Sequence, residues 1–446
     1  MTKRAVAAII LAAGQGTRMK SSLPKVMHKI AGRPMIAHLL EQVEALHPEK
    51  IAVVVGPGMD SLEGAVAPWP TVLQKDRLGT GHAALQAEAL IGAFDGVALI
   101  LFGDTPLIAK ETLEKMILRF DASDHPALVV LGFYPKDPGA YGRLAMRDER
   151  VEAIIEYNDA TPEQKKIPLC NSGVMAVDGR ILFPLLQELK NDNAKGEYYL
   201  TDLVAAVVAK GLCAAMVEGD EEELLGVNSR QDQATAEWVA QNRLRQKAME
   251  NGATLIDPSS VVFSWDTKLG RDVTVGPNVV FGAGVSIEDD VAINAFCHLE
   301  GAHVASGAVI GPFARLRPGA EIARAAHIGN FVEVKKATIA EGAKVNHLTY
   351  IGDAFIGAGA NIGAGTITCN YDGFEKTRTH VGAGAFIGSN SSLVAPVSIG
   401  AGAIIGAGSV IDRDVAADSL AVERSSHREI SGWAARFREK KSAPKD

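Results

Sequence analysis

Cysteine is scarce in this chain. Cys170, Cys213, Cys297 and Cys369 are scattered over 446 positions with no Cys-x-x-Cys spacing. That removes the case for a disulfide framework and leaves reduced thiols in a cytoplasmic protein as the expectation. An excess of positive charge is missing too. Forty-five Lys and Arg face 53 Asp and Glu, a net charge of −8, so bulk electrostatics implies no nucleic-acid partner. Anionic small molecules stay compatible, because a cleft focuses the field of a few local cations. No apolar stretch is long enough to span a bilayer, so no membrane partner is expected. The short run Ala5–Ala13 imitates the core of a signal peptide. It ends in Gly14-Gln-Gly-Thr-Arg18 rather than at a cleavage site, which argues against a secretory leader.

What the chain does have is 47% hydrophobic residues, enough for large cores, and a length that suggests about two to three domains. Bulky residues recur every sixth position through the C-terminal half: Val275, Phe281, Ile287, Ile293, Leu299; Val304, Ile310, Leu316, Ile322, Ile328, Val334; Ile339, Val345, Ile351; Ile356, Ile362; Val381, Ile387, Leu393, Ile399, Ile405, Ile411. Neither a helix of period 3.6 nor a strand of period 2 needs such a repeat. A parallel β-helix does, with one inward residue per short flat side and Gly, Ala, Ser and Asn at the corners. Residues 369–380 break the period and are expected to loop out of the coil.

The first half alternates apolar strand-like runs (Val6–Leu11, Ile51–Val55, Val97–Phe102, Ala127–Phe133) with helical patterns (Pro34–Ala45, His82–Ile91, Glu111–Phe120). That order predicts a mostly parallel sheet with helices on both faces. Residues 229–251 are polar, rich in helix formers and bounded by Ser229 and Gly252, which predicts one long linking helix with Ser229 as its N-cap. The expected domains are therefore 1–228, a linker helix at 229–251, and 252–446. The basic tail after about 425 has no assigned fold.

The first strand runs into Leu11-Ala12-Ala13-Gly14-Gln-Gly16-Thr17-Arg18-Met19, with Pro24-Lys25 beyond. Glycines after a strand let backbone N–H groups approach a phosphate. Met19 stands where a dinucleotide fingerprint needs its third glycine, and there is no Gly-Lys-Ser/Thr of a Walker A loop. Arg18 and Lys25 supply two cations suited to a triphosphate. Asp104 follows the strand ending at Phe102, at the edge where parallel sheets bind ligands. Its carboxylate suits Mg²⁺, a hard ion that shares oxygen ligands with substrate phosphates.

LAAGQGTRM with SSLPK, LGTGHA (Leu78–Ala83), FGDTPL (Phe102–Leu107), YGR (Tyr141–Arg143) and GEYYLTD (Gly196–Asp202) resemble the sugar-phosphate nucleotidyltransferases. Their order resembles the bacterial family of bifunctional N-acetylglucosamine-1-phosphate uridylyltransferase/glucosamine-1-phosphate acetyltransferases, over almost the whole chain. The resemblance implies a Rossmann-like α/β nucleotidyltransferase domain followed by a left-handed parallel β-helix of hexapeptide repeats. It places Leu11, Ala12, Ala13 and Gly14 along the uracil and phosphates of UTP and Lys25 on the phosphates. Gln74, Gly79 and Thr80 would meet the uracil, and Gly103 and Asp104 with Asn228 would complete the nucleotide and Mg²⁺ site. Gly142, Glu156 and Asn171 would meet the acetylamino sugar of N-acetylglucosamine-1-phosphate. The chain departs from common family forms at Phe102, Ser172 and Lys75-Asp76-Arg77, each beside a contact residue. Both reactants are anions, so Lys25, Arg18 and the metal position them and neutralise charge, and no protein nucleophile is evident.

In the C-terminal half a polar cluster interrupts the repeat: Arg315 and Arg317, Asn330, Glu333, Lys335-Lys336, Asn346-His347, Tyr350, Asp353, Asn361 and Asn370-Tyr371-Asp372-Gly373. Three sides of six make a coil of eighteen. Arg317 follows inward Leu316, and Lys335 follows inward Val334 eighteen positions later, so the two cations stack about 4.8 Å apart. The five-residue step from Val334 to Ile339 leaves His347 less firmly placed. Strand alternation turns one of Lys335 and Lys336 to solvent. The Asn370–Gly373 segment also reads as an Asx turn.

The resemblance assigns Arg317, Glu333, Lys335, Tyr350 and Asn361 to glucosamine-1-phosphate. His347 would be the base, and Ala364, Asn370, Tyr371, Ser389, Ala407 and Arg424 would line the path of acetyl-CoA, used as co-substrate. An imidazole of ordinary pKa about 6.5 accepts an amine proton near neutral pH. The family's solenoid packs as a homotrimer, and its product feeds cell-wall precursors. A second reading stays open at this point: a single-activity nucleotidyltransferase whose solenoid only assembles subunits or senses effectors.

Overall fold

The structure, a computed structural model, describes residues 4–442. The outermost residues of the two expected domains, 1–3 and 443–446, lie outside the described residues. The chain divides into two compact units, Met1–Arg243 and Leu244–Asp446.

The first unit is built on a nine-stranded sheet. Its main path runs Ala214–Glu218, Leu128–Phe133, Cys170–Asp178, Val97–Phe102, Val6–Leu11, Lys50–Val55, Thr71–Leu73. All neighbours on this path are parallel except at Cys170–Asp178, which is antiparallel to both strands it separates. The apolar run near the start of the chain is thus an inner strand, Val6–Leu11. Val6, Ala8 and Ile10 pack with Leu39, Val43, Leu62 and Leu113. Ala7, Ile9 and Leu11 pack with Ala84, Leu185, Leu203 and Val207 on the opposite face. Burial on both faces explains why the strand reads as an unbroken apolar run.

The helical reading of His82–Ile91 is corrected. Thr80–Leu85 and Glu88–Ile91 are two helices. The N–H groups of Gln86 and Ala87 donate three residues back, to Ala83 and Ala84, which tightens the chain and interrupts the α-helical ladder. The linking helix spans Arg230–Glu250. Ser229 Oγ accepts from the Asp232 N–H at 3.2 Å, and the Asp232 carboxylate accepts from the N–H groups of Ser229 (2.8 Å) and Asn228 (2.9 Å). This reciprocal box satisfies N–H groups that a helix start leaves free.

The second unit is a parallel β-helix of three sheets with ten, eight and eight strands, in which a strand pairs with the third one along except at the two ends of the ten-stranded sheet. One coil takes 18 residues where Thr274 pairs with Ala292 and 17 where Ala292 pairs with Val309. Every inward residue named above is buried in one continuous core. Leu244 and Ala248, from the last turns of the helix, pack against that core at its first coil.

The corners hold more than small residues. Phe296, Phe313 and Phe331 occupy one corner column at φ of 61°, 56° and 56°. A left-handed conformation costs a non-glycine residue about 1–2 kcal/mol. Their rings stack at 4.9 and 5.0 Å, and an aromatic pair returns about 0.5–1.5 kcal/mol, so the two pairs offset part of that strain. The tail also has structure: Trp433–Ser442 is a helix, with Trp433 and Phe437 stacked one turn apart at 5.1 Å.

Candidate functional site

In the first unit the C-terminal ends of the parallel strands open into a cleft of about 310 Å³. Leu11, Ala12, Ala13, Gly14, Lys25, Gln74, Gly79, Thr80 and Asp104 all line it. Gly103 sits directly beneath, its N–H donating to the Leu11 carbonyl at 3.0 Å. Gly14 is followed by Gly16 at φ 63°, where an added Cβ would meet Lys25 Cβ at 2.6 Å; the loop therefore needs glycine to fold back over Lys25. Lys25 Nζ donates to Asp104 Oδ2 and, at 3.0 Å, to Asn228 Oδ1. Arg18 donates to the same Asn228 oxygen at 2.9 Å. The Val227 N–H bonds the Asp104 carbonyl at 2.9 Å, and the helix-start box fixes Asn228, so residues over a hundred positions apart converge.

Asp104 Oδ2 and Asn228 Oδ1 face one ammonium and offer only oxygen. Among the described residues no group of three His, Cys, Asp or Glu is poised for a metal. Two oxygens with room for substrate phosphates is the donor set that Mg²⁺ accepts, since it keeps most of its shell for water and phosphate. The residues fit the ion.

Gly142, Glu156 and Asn171 form a second group. The Asn171 N–H donates to the Gly142 carbonyl at 2.9 Å, and Arg143 pairs with Ile155, which precedes Glu156. A bulge between Asn171 and Met175 turns this strand, and the Phe102 ring rests on Gly173 inside it while also lining the cleft. Glu156 accepts from the Thr201 hydroxyl at 3.1 Å.

In the second unit, Leu316 pairs with Val334, so Arg317 and Lys335 follow matched positions on consecutive coils. Glu333 lies between the arginines, 2.8 Å from Arg317 and 3.8 Å from Arg315. Tyr350 pairs with Glu333 on the next coil. Lys335 is half-buried and Lys336 exposed. The nearby Lys376 ammonium, and then Arg317, hold the Lys335 pKa below the usual lysine range. His347 is exposed on the neighbouring face, in register with Asn330; Asn361 shares that face, pairing with Lys344. The excursion at 369–380 is a hairpin closed by a Tyr371–Lys376 bridge. Asp372 makes the Asx turn, accepting from the N–H groups of Phe374 and Glu375. Asn370 is buried and donates to Asp353 at 2.5 Å. Ala364, Ser389 and Ala407 follow one another on consecutive coils: the Asn390 N–H bonds the Ala364 carbonyl, and the Gly408 N–H bonds that of Ser389. Arg424 donates to the Ala407 carbonyl at 2.9 Å.

Arg77, Glu197 and Phe102 also line the first cleft, and Lys376 joins the second cluster; none had been assigned a role from sequence. Lys376 sits within the period-breaking excursion, which was the available signal.

Comparison with known proteins follows the same division. A MobA-like NTP transferase domain matches residues 8–169, and six bacterial transferase hexapeptide repeats match 378–413. The chain is 62% identical to the "Bifunctional protein GlmU" of Paramagnetospirillum magneticum, over 100% of this chain and 99% of that one. It is 64% identical to the protein of the same name from Rhodospirillum rubrum, over 98% of each, and 54% identical to that of Azorhizobium caulinodans, over 100% of each.

Proposed function

This chain belongs to the family of bifunctional GlmU proteins, and on that premise we propose which of its residues run the two reactions. The protein is an enzyme with two transferase activities, N-acetylglucosamine-1-phosphate uridylyltransferase and glucosamine-1-phosphate acetyltransferase, and it serves cell-wall synthesis. Its second unit carries the hexapeptide repeats of a left-handed β-helix.

Residues 1–228 would be the uridylyltransferase domain, 229–251 the linker helix and 252–446 the acetyltransferase domain. UTP occupies the cleft between Leu11–Gly14 and Gln74–Thr80. The phosphate oxygen of N-acetylglucosamine-1-phosphate, held by Gly142, Glu156 and Asn171, attacks the α-phosphorus, and pyrophosphate departs in line. Lys25 and Arg18 neutralise the charge that gathers on the phosphates. Asp104 and Asn228 would hold Mg²⁺, which supplies further charge neutralisation when bound.

On the β-helix, Arg317 and Lys335 bind the phosphate of glucosamine-1-phosphate, while Glu333, Tyr350 and Asn361 orient the sugar. Its amine attacks the thioester carbonyl of acetyl-CoA, His347 accepts the amine proton, and the CoA thiolate leaves. Ala364, Asn370, Tyr371, Ser389, Ala407 and Arg424 line the CoA path. A cytoplasmic homotrimer is the expected state. Among the described residues no helix is long and apolar enough to cross a membrane.

The observation that supports two sites best is the Arg317–Glu333–Lys335–Lys376 cluster within the repeat, for which a purely structural solenoid has no use. The test supplies acetyl-CoA, glucosamine-1-phosphate, UTP and Mg²⁺, then omits each in turn. Acetylated sugar phosphate formed without UTP is the expected result; none formed would leave a single-activity enzyme.

A further inference from the structure

Arg77 lies on the segment joining Thr71–Leu73 to the helix Thr80–Leu85, between Gln74 and Gly79. Its Nε donates to the Ala13 carbonyl at 3.0 Å. The guanidinium lies so close to Gly56 that a Cβ there would meet Nη2 at 2.6 Å and the Ala13 carbonyl at 2.9 Å. Ala13 and Gly56 follow the paired strands Val6–Leu11 and Lys50–Val55, so the side chain is threaded between their C-terminal ends. Lys25 is bonded to Asp104 and Asn228, and Arg18 to Asn228. Arg77 forms no ion pair among the described residues. Among the described residues one of its five N–H groups is engaged, and it lines the cleft.

Gln74 lines the same cleft with a fixed amide. Its Nε2 donates to the Gly79 carbonyl at 3.1 Å and lies 3.2 Å from His82 Nδ1. A carbonyl only accepts, so this bond sets the flip of the amide and leaves Oε1 as the acceptor. The cleft wall thus carries an acceptor at Gln74 and a charged donor at Arg77. Uracil presents the complement, an N3–H donor beside a C4 carbonyl acceptor. Cytosine presents the reverse, an N3 acceptor beside a C4 amino donor.

We propose that Arg77 is a base-specificity residue of the nucleotide site, donating to the uracil C4 oxygen while Gln74 Oε1 accepts from N3–H, so that the pair selects UTP over CTP. This rests on the cleft being the uridylyltransferase site. A donor facing the cytosine amino group leaves both unpaired, and a site built around hydrogen bonds rejects such a mismatch more strongly than an apolar one would.

The test compares kcat/KM for UTP and CTP in the full-length protein and R77A, with acetyl transfer measured on the same preparations. The UTP:CTP ratio is expected to fall about 10- to 100-fold, the loss expected for one hydrogen bond from a charged donor, with acetyl transfer unchanged. If R77A loses acetyl transfer too, R77M, of similar length and without donors, replaces it under the same criteria. An unchanged ratio overturns the inference, whether both rates persist or both fall together, because a loop-holding or phosphate-binding role lowers both equally. Failure of the unsubstituted protein to use UTP would instead defeat the underlying site assignment.

Discussion

Asn330 and His347 stand in register on neighbouring coils, and His347 Nδ1 lies 2.9 Å from Asn330 Oδ1. With the amide oxygen as acceptor, this contact favours the tautomer protonated on Nδ1, which would leave the Nε2 lone pair for the proposed role as base. Asn330→Ala releases the ring and its tautomer. Acetyl transfer is expected to fall about 10- to 100-fold, less than for His347→Ala, with uridylyl transfer unchanged. Steady-state rates for both activities on each variant check this.

The two sites use separate residues, so they should fail separately. Asp104→Ala removes the proposed metal ligand and the partner of Lys25. It is expected to abolish uridylyl transfer and spare acetyl transfer, and His347→Ala to do the reverse. Either substitution silencing both activities in a folded protein would refute the separation.

Lys376 and Arg317 depress the Lys335 pKa. Removing a neighbouring cation lets Lys335 keep its proton to higher pH. Lys376→Ala should therefore move the alkaline limb of acetyl transfer upward. KM for glucosamine-1-phosphate should rise about tenfold, because one cation beside the proposed phosphate site is lost. A pH profile of KM tests both signs at once.

Asp124 accepts two hydrogen bonds from Arg119, at 2.6 and 2.7 Å, and these hold its carboxyl well below the ordinary range. A depressed folded-state pKa means the stabilisation is present above the unfolded value near 3.9 and lost as pH falls below it. Asp124→Asn should cost about 1 kcal/mol at neutral pH, discounted because the pair is about a quarter exposed. Denaturation at pH 7 and pH 3 should show the difference shrinking at the lower pH.

Ile322 is an inward residue of the β-helix, 1% exposed. Ile322→Ala leaves a cavity that a stacked backbone cannot close, so a loss of about 2–5 kcal/mol is expected by chemical denaturation.

The six-residue period is legible because a coil turns the same positions inward on every pass, so Val275 through Ile411 could be read directly. The Arg317–Lys335 stack followed from the same arithmetic. His347 did not, because five-residue steps change the count within a coil and only pairing with Asn330 settles it. Arg77 and Lys376 were opaque for another reason. One acts from an irregular segment and the other from an excursion, where no period predicts direction. The break at Gln86 and the helix at Trp433–Ser442 depend on local hydrogen bonds and ring contacts that pattern alone does not encode.

Leu244 and Ala248 close the first coil of the β-helix with the last turns of a helix. A spiral ladder has no natural stopping point, because its bottom rung offers the same sticky backbone edge and greasy middle as every other. The helix end acts as a stopper. A fragment trimmed to begin at residue 252 would lose it and is expected to pile up on its own kind, whereas one beginning at residue 230 would stay dispersed.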